Sequence, residues 1–193
     1  ADAIEKRMAD NKAMRFSAPD SNESRIIRPL ALADLEGLMQ VQEACYGRHY
    51  MESAAVYRAR IASPMHCSLV AVQGGTVLAY LAAYRSVLGR VTPIHGAFED
   101  YDDPDTLYLH DMAVSPDCAG QGLASALLDA LWRNAYNWAP RHSALVSVQG
   151  SQDYWRRKGY ALHASLSDTD AAAVRGYGAD AVYMVQPYRS QGG

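Results

Sequence analysis

The stretch that most constrains how this chain can fold is residues 107–128, LYLHDMAVSPDCAGQGLASALL. The apolar run over 107–114 has the length and composition of a buried strand, and Ser115, Pro116 and Asp117 stop it. From Leu123 the apolar spacing turns helical, with Leu123, Leu127 and Leu131 at i, i+4 and i+8. Between strand and helix lie Gly120 and Gly122. Strand, glycine turn and helix together make an anion cradle. Free N–H groups at the helix start point outward, the helix dipole adds about half a positive charge, and glycine lets a ligand approach the backbone closely. A diphosphate is the natural guest.

Two common diphosphate sites do not fit these residues. A nucleoside-triphosphatase loop closes with Gly-Lys-Ser/Thr, whereas Gly122 is followed by Leu123 and Ala124, so no lysine reaches a terminal phosphate. A dinucleotide fold wants a further glycine or alanine three positions after Gly122 and an acid about 20 residues on. Ser125 fills the first place, and Arg141 and His142 lie near the second.

Val114-x-Pro116-x-x-Ala119-Gly120-x-Gly122-Leu123-Ala124 resembles instead the Arg/Gln-x-x-Gly-x-Gly/Ala cofactor motif of the GNAT superfamily of N-acetyltransferases. Ala119 stands where Arg or Gln is usual, which removes one side-chain contact and leaves the backbone cradle. The likeness spans residues 25–188 and implies one α/β (α+β) domain over 25–193. Its central sheet would be mixed and mainly antiparallel, with six to seven strands flanked by helices. The resemblance further implies acetyl-coenzyme A as cofactor, held by Met112, Ala113 and Val114 on the strand, by Cys118, Ala119, Gly120, Gln121, Gly122, Leu123 and Ala124 in the loop, and by Trp155. The reaction it implies is direct acetyl transfer to the primary amine of a small molecule within a ternary complex. Transfer to a protein or peptide amine, and a coenzyme A-binding regulatory module without turnover, are the alternatives.

Composition narrows the remaining classes. A chain of 193 residues fits one domain with a sizeable core, preceded by a polar arm over 1–24 that reads as mobile. The net charge of −3 argues against a nucleic-acid scaffold. Cys45, Cys67 and Cys118 are odd in number and form no Cys-x-x-Cys, so neither a disulfide framework nor a metal site is indicated, and a reducing cytoplasm fits. No apolar run approaches about 18 residues and the N-terminus lacks a signal-peptide core, so no membrane span is expected.

The rest of the chain reads in order. A strand over 25–28 ends at Pro29, and a helix follows from Ala31 to near Gly47, with Leu32, Leu35, Leu38 and Met39 on its apolar stripe. A second helix is expected over 52–62. The resemblance places this region over the acceptor site, where Tyr46, Tyr50 and Tyr57 either line a pocket or pack half-buried. Strands over 68–73 and 76–84 are joined by Gly74-Gly75, a two-residue hairpin signal. Five acids crowd the loop over 98–105, either a solvated loop or a field that draws a cationic amine. After a strand over 143–149, a short helix capped by Ser151 and ended by Gly159 resembles the superfamily's second signature, Phe-Tyr-x-x-x-Gly-Phe. Strands over 160–166 and 181–188 close the chain, with a loop over 168–180 between them. The last is read as an edge strand able to pair two copies as a homodimer.

Acetyl transfer to an amine sets three chemical demands. An alkylammonium of pKa about 10 must lose a proton, the developing oxyanion needs a donor, and a thiolate of pKa near 8.5 gains from a proton. Period-two geometry puts Tyr108, His110, Met112 and Val114 on one face of the strand, and Leu109, Asp111 and Ala113 on the other. Tyr108-Leu-His110 through Val114 is similar to the His-x-His-x-x-x-Val stretch of the arylalkylamine acetyltransferase branch, where the histidines serve proton removal. His110 is therefore the first candidate base, with Tyr108 beside the substrate. Asp111 is the rival base should a bulge shift the facing. A backbone N–H near Met112 would serve the oxyanion. For the thiolate, the second signature offers Trp155 where tyrosine is usual, and Tyr154 one place earlier, as general acid or core aromatic. Cys118 reads as a small residue filling the turn, since direct transfer needs no nucleophile.

Overall fold

The computed structural model describes residues 23–48 and 51–190. Seven strands form one sheet in the order β1-β2-β3-β4-β5-β7-β6. They are β1 (Ile26–Pro29), β2 (Leu69–Gln73), β3 (Thr76–Ser86), β4 (Thr106–Val114), β5 (His142–Ser147), β6 (Ala161–Leu162) and β7 (Val182–Pro187). Only β4 and β5 run parallel; every other pairing is antiparallel. The helices are α1 (Leu35–Tyr46), α2 (Ala54–Ala62), α3 (Leu123–Ala135), α4 (Gln152–Arg157) and α5 (Asp168–Arg175). None among the described residues is long and apolar enough to cross a membrane.

The sheet divides two cores. Leu35, Leu38 and Val41 of α1 and Tyr57 of α2 pack with Tyr80, Tyr84 and Tyr108 on one face. On the other, Leu123, Leu127 and Leu131 of α3 pack with Leu81, Leu107 and Leu145. The expected α3 stripe is thus the buried one. β3 is buried along almost its whole length, as a central strand covered on both faces must be. Gly74 and Gly75 both take positive φ and join β2 to β3 in the expected two-residue turn.

Several expectations are corrected. Residues 168–180 are not all loop: α5 starts at a capped turn in which the Ser167 hydroxyl accepts the Asp170 N–H at 3.1 Å. The strand expected over 160–166 is only two residues long: after Leu162 a single further N–H, that of His163, reaches β7 at the Tyr183 carbonyl (3.0 Å), and the Leu166 N–H then turns back to the Ala164 carbonyl (3.0 Å). β7 is not an edge strand, since β6 doubles back outside it and the outer strands are β1 and β6. Ser151 does not cap α4 with its side chain. Its hydroxyl donates to the Val148 carbonyl at 2.7 Å instead. Tyr50 and all but the last two residues of the N-terminal arm lie outside the described residues.

Gly37 lets α1 pack directly against Val77 of β3. A Cβ there would sit 2.5 Å from Val77 Cγ2 and 2.8 Å from Val77 Cβ, in a side chain too short and branched to swing aside. Gly37→Ala is therefore expected to lower stability by about 1–2 kcal/mol in urea unfolding, overpacking outweighing the better helix propensity of alanine. Val77→Ala in the same chain should recover part of that loss. A neutral or stabilising Gly37→Ala would show that α1 can ride off the sheet freely.

Candidate active site

β4 carries one residue more than β3 can pair. Ala82 stands opposite Asp111 and Ala83 opposite Leu109, so His110 is the extra residue of a β-bulge. The bulge resets the alternation of side chains. Tyr108 and His110 face the α1–α2 side as expected, but Asp111 and Ala113 now join them, while Met112 and Val114 turn to the α3 side. The simple period-two facing is thereby corrected. His110 and Asp111, adjacent in sequence, look into the same space.

The bulge lies where the sheet opens. β4 and β5 pair only from Thr106↔His142 to Leu109↔Leu145, after which β5 continues with β7 alone. From His110 to Val114 the β5-facing edge of β4 has no strand beside it. The parting of the two strands leaves a cleft along this edge toward the glycine turn, where the Met112 carbonyl lies 3.1 Å from the Tyr46 hydroxyl and the Val114 carbonyl 3.1 Å from the Cys45 thiol.

Two carboxylates sit behind that edge in different company. Glu52 grips Arg60 at 2.6 and 2.7 Å, accepts the His95 N–H at 2.8 Å and meets His110 Nε2 at 3.0 Å. The side chains of Glu52, Arg60 and His110 are only 7%, 2% and 2% exposed. Burial works to raise the Glu52 carboxyl, but the hydrogen bonds from Arg60 and His110 outweigh it and hold the group well below the usual carboxylate range. Arg60 also donates to the Gly96 carbonyl at 2.7 Å, fastening the loop before β4 to α2.

Asp111 is surrounded by phenols. Tyr46 donates to Oδ1 at 2.8 Å, and Tyr57 and Tyr80 donate to Oδ2 at 2.7 and 2.5 Å. Burial, with the Asp111 charge adding to it, pushes all three phenols well above their usual value, so they remain O–H donors. No Arg, Lys or His pairs with Asp111 among the described residues. In the neutral imidazole, His110 facing the Glu52 anion places its hydrogen on Nε2 and its lone pair on Nδ1. That Nδ1 is buried and has no hydrogen-bond partner.

At the far end of the cleft, strand, glycine turn and helix follow one another in the expected order. Gly120 and Gly122 take φ of 74° and 79°, and Gly122 starts α3 without any side-chain cap. A Cβ added at either glycine would meet no atom within 4 Å, so the space in front is open to a ligand. The N–H groups of Gly120, Gln121 and Gly122 find no acceptor among the described residues, and those of Leu123 and Ala124 belong to the unpaired first turn of the helix. Ala119 adds no charge. Cys118 is buried under the turn, packed with the α3 core.

The remaining candidates are scattered. Tyr108 is 1% exposed and tilts against Tyr84 in the core, away from any surface. Trp155 packs edge-on to Tyr160 and Tyr154, and lines a cavity of about 240 Å³ with Leu128, Trp132, Lys158 and Gln186. Tyr154 is half-buried, and burial raises its phenol against the opposing effect of Arg157. In the acidic loop, Glu99 is tied to Tyr101 and Arg90, while Asp102 and Asp103 are exposed. Glu52, Arg60, Tyr57 as an Asp111 partner, and Tyr80 had no readable signal as a set. Only the bulge was anticipated, as the condition under which Asp111 would share the facing of His110, and the structure meets that condition.

Residues 35–160 match the sequence profile of the Acetyltransferase (GNAT) family. No curated protein sequence matches the chain. In fold it is similar to the ribosomal-protein-S18-alanine N-acetyltransferase of Escherichia coli, with TM-score 0.63 and 18% identity over 88% of this chain and 97% of that one. It is similar also to PaiA N-acetyltransferase of Thermoplasma acidophilum in complex with coenzyme A, with TM-score 0.61 and 13% identity over 86% and 99%. A GNAT family acetyltransferase of Brucella melitensis in complex with acetyl-CoA gives TM-score 0.53 and 23% identity over 72% and 83%.

Removing one partner of the buried Glu52–Arg60 pair strands the other charge. Arg60→Met should cost about 3–5 kcal/mol in chemical unfolding. The folded-state pKa of Glu52 lies below its usual 4.5, so its stabilisation is fully present above that pH and lost as pH falls through the folded value. Glu52→Gln should therefore flatten the acid limb of the stability profile below about pH 4.5. An unchanged acid limb would show that the pair does not carry it.

Proposed function

The chain belongs to the Acetyltransferase (GNAT) family, and on that premise we propose that it moves an acetyl group from acetyl-coenzyme A to a primary amine of a small molecule by direct transfer. The observation that carries this reading is the edge of β4 left without a neighbouring strand, which runs from the bulge at His110 and Asp111 to the glycine cradle. The free amides at 120–124 suit the diphosphate, and the β4 edge suits the amide-bearing arm. Bound there, the cofactor supplies an activated acyl carbon and a thiol leaving group.

The chain's own residues divide the work. Asp111 holds the acceptor as a cation: three phenols already solvate its carboxylate, so what it offers an ammonium is uncompensated charge. Its recessed position between α1 and α2 favours a slender alkylamine. His110 takes the proton the amine must lose, its Nε2 tethered by Glu52 and its Nδ1 without a protein partner. N–H groups of the β4 edge near Met112 stabilise charge developing on the acyl oxygen. Tyr154, the one of the two adjacent aromatics with an acidic proton, returns a proton to the thiolate.

Thiol release across a panel of amines and peptides tests the reading, with the fastest turnover expected for a small cationic amine. His110→Gln should lower kcat about 10²–10⁴-fold and remove a limb of the pH–rate profile, while acetyl-coenzyme A affinity stays within twofold. Asp111→Asn should instead raise KM for the amine. If His110→Gln keeps the full pH profile, the base role passes to Asp111; if no amine or peptide is acetylated, the assignment falls.

A further inference from the structure

We propose that Arg25, from the segment leading into β1, is a diphosphate ligand of the cradle. This inference rests on the reading that the cradle holds coenzyme A. The sheet order makes the approach possible. β4 ends beside the start of β3, the β2–β3 turn lies next to it, and β1 begins opposite Val72, so residues 25, 73 and 121 meet at one end of the sheet. There the Arg25 guanidinium donates from Nε to Gln73 Oε1 at 3.1 Å and from Nη2 to Gln121 Oε1. Gln121 stands between the two cradle glycines, and its own amide reaches back to the Asp117 carbonyl at 3.4 Å. Gln73 is fixed in turn, donating to the Glu23 carbonyl at 2.8 Å.

What distinguishes Arg25 is that both of its anchors are neutral. Among the described residues Arg28, Arg48, Arg60, Arg90 and Arg156 each meet a carboxylate; of the arginines that meet none, Arg25 is the one held in place by side-chain hydrogen bonds. Two amide oxygens orient the guanidinium without cancelling its charge. The cradle needs that charge. Ala119 contributes no side-chain donor, and the exposed Asp117 just ahead adds a negative one to the same turn. The amides carry only partial charges, and a diphosphate carries two full ones. An arginine fork is suited to phosphate oxygens in a way that a point charge is not. Because Arg25 is exposed and anchored only to side chains and not to the core, its loss leaves the folded domain standing.

The test compares Arg25→Gln with the wild-type protein by titration calorimetry, using coenzyme A, dephospho-coenzyme A and pantetheine. Loss of a charge-assisted phosphate contact should raise Kd about tenfold for both coenzyme A and dephospho-coenzyme A, and leave pantetheine unchanged. Arg25→Lys should recover part of the loss, and the wild-type advantage should shrink with added salt. An unaltered Kd for coenzyme A overturns the proposal, as does an equal loss for pantetheine. A loss for coenzyme A but not dephospho-coenzyme A also overturns it, by moving the contact to the 3′-phosphate. Failure of the wild-type protein to bind coenzyme A at all would instead remove the reading of the cradle itself.

Discussion

His110 has no partner on β3, because Ala82 and Ala83 are taken by Asp111 and Leu109. A strand with one residue too many must bend and twist more sharply, and it must show two successive side chains on one face. Both consequences fall where β4 parts from β5. The bend helps to open the cleft, and the repeated facing puts an imidazole and a carboxylate side by side at its inner end. Straightening β4 would pair its edge, close the cleft and send Asp111 into the apolar core under α3. The bulge is thus the constraint from which the site follows.

The two carboxylates behind the cleft show how environment separates like groups. Glu52 is spent internally. Arg60 neutralises it, His95 and His110 fill its remaining acceptor positions, and the whole cluster pins α2 to the loop before β4. Asp111 has hydrogen-bond donors but no counter-charge among the described residues. The buried pair therefore serves as scaffold and as an orienting contact for His110, while Asp111 carries the local field.

What could be read from the sequence was local. The strand, glycine turn and α3 follow one another within about two dozen residues, and each announces itself by composition and period. The Gly74-Gly75 hairpin is equally short-range. The bulge could be named from the sequence only as a condition on the role of Asp111, because it is a relation between β4 and a strand more than 20 residues earlier. Arg60, Glu52 and His110 lie 8 and 58 residues apart in sequence, a set that no spacing rule joins. The interior position of β7 was hidden for a similar reason: β6 precedes it in the chain yet pairs outside it. α5 could have been found from Ser167 and Asp170, whose cap is local, but the short polar helix lacks an apolar stripe long enough to stand out.

The outer strands carry a consequence for assembly. β1 is four residues long and ends in Pro29, which has no N–H to give, and β6 is two residues long. A neighbouring chain adding itself as an eighth strand would find few rungs on either side, too few to hold a register. Growth of this sheet into ribbons or fibres is therefore blunted at both margins. Among the described residues, the helical faces and the loops offer two copies more surface than either outer strand does.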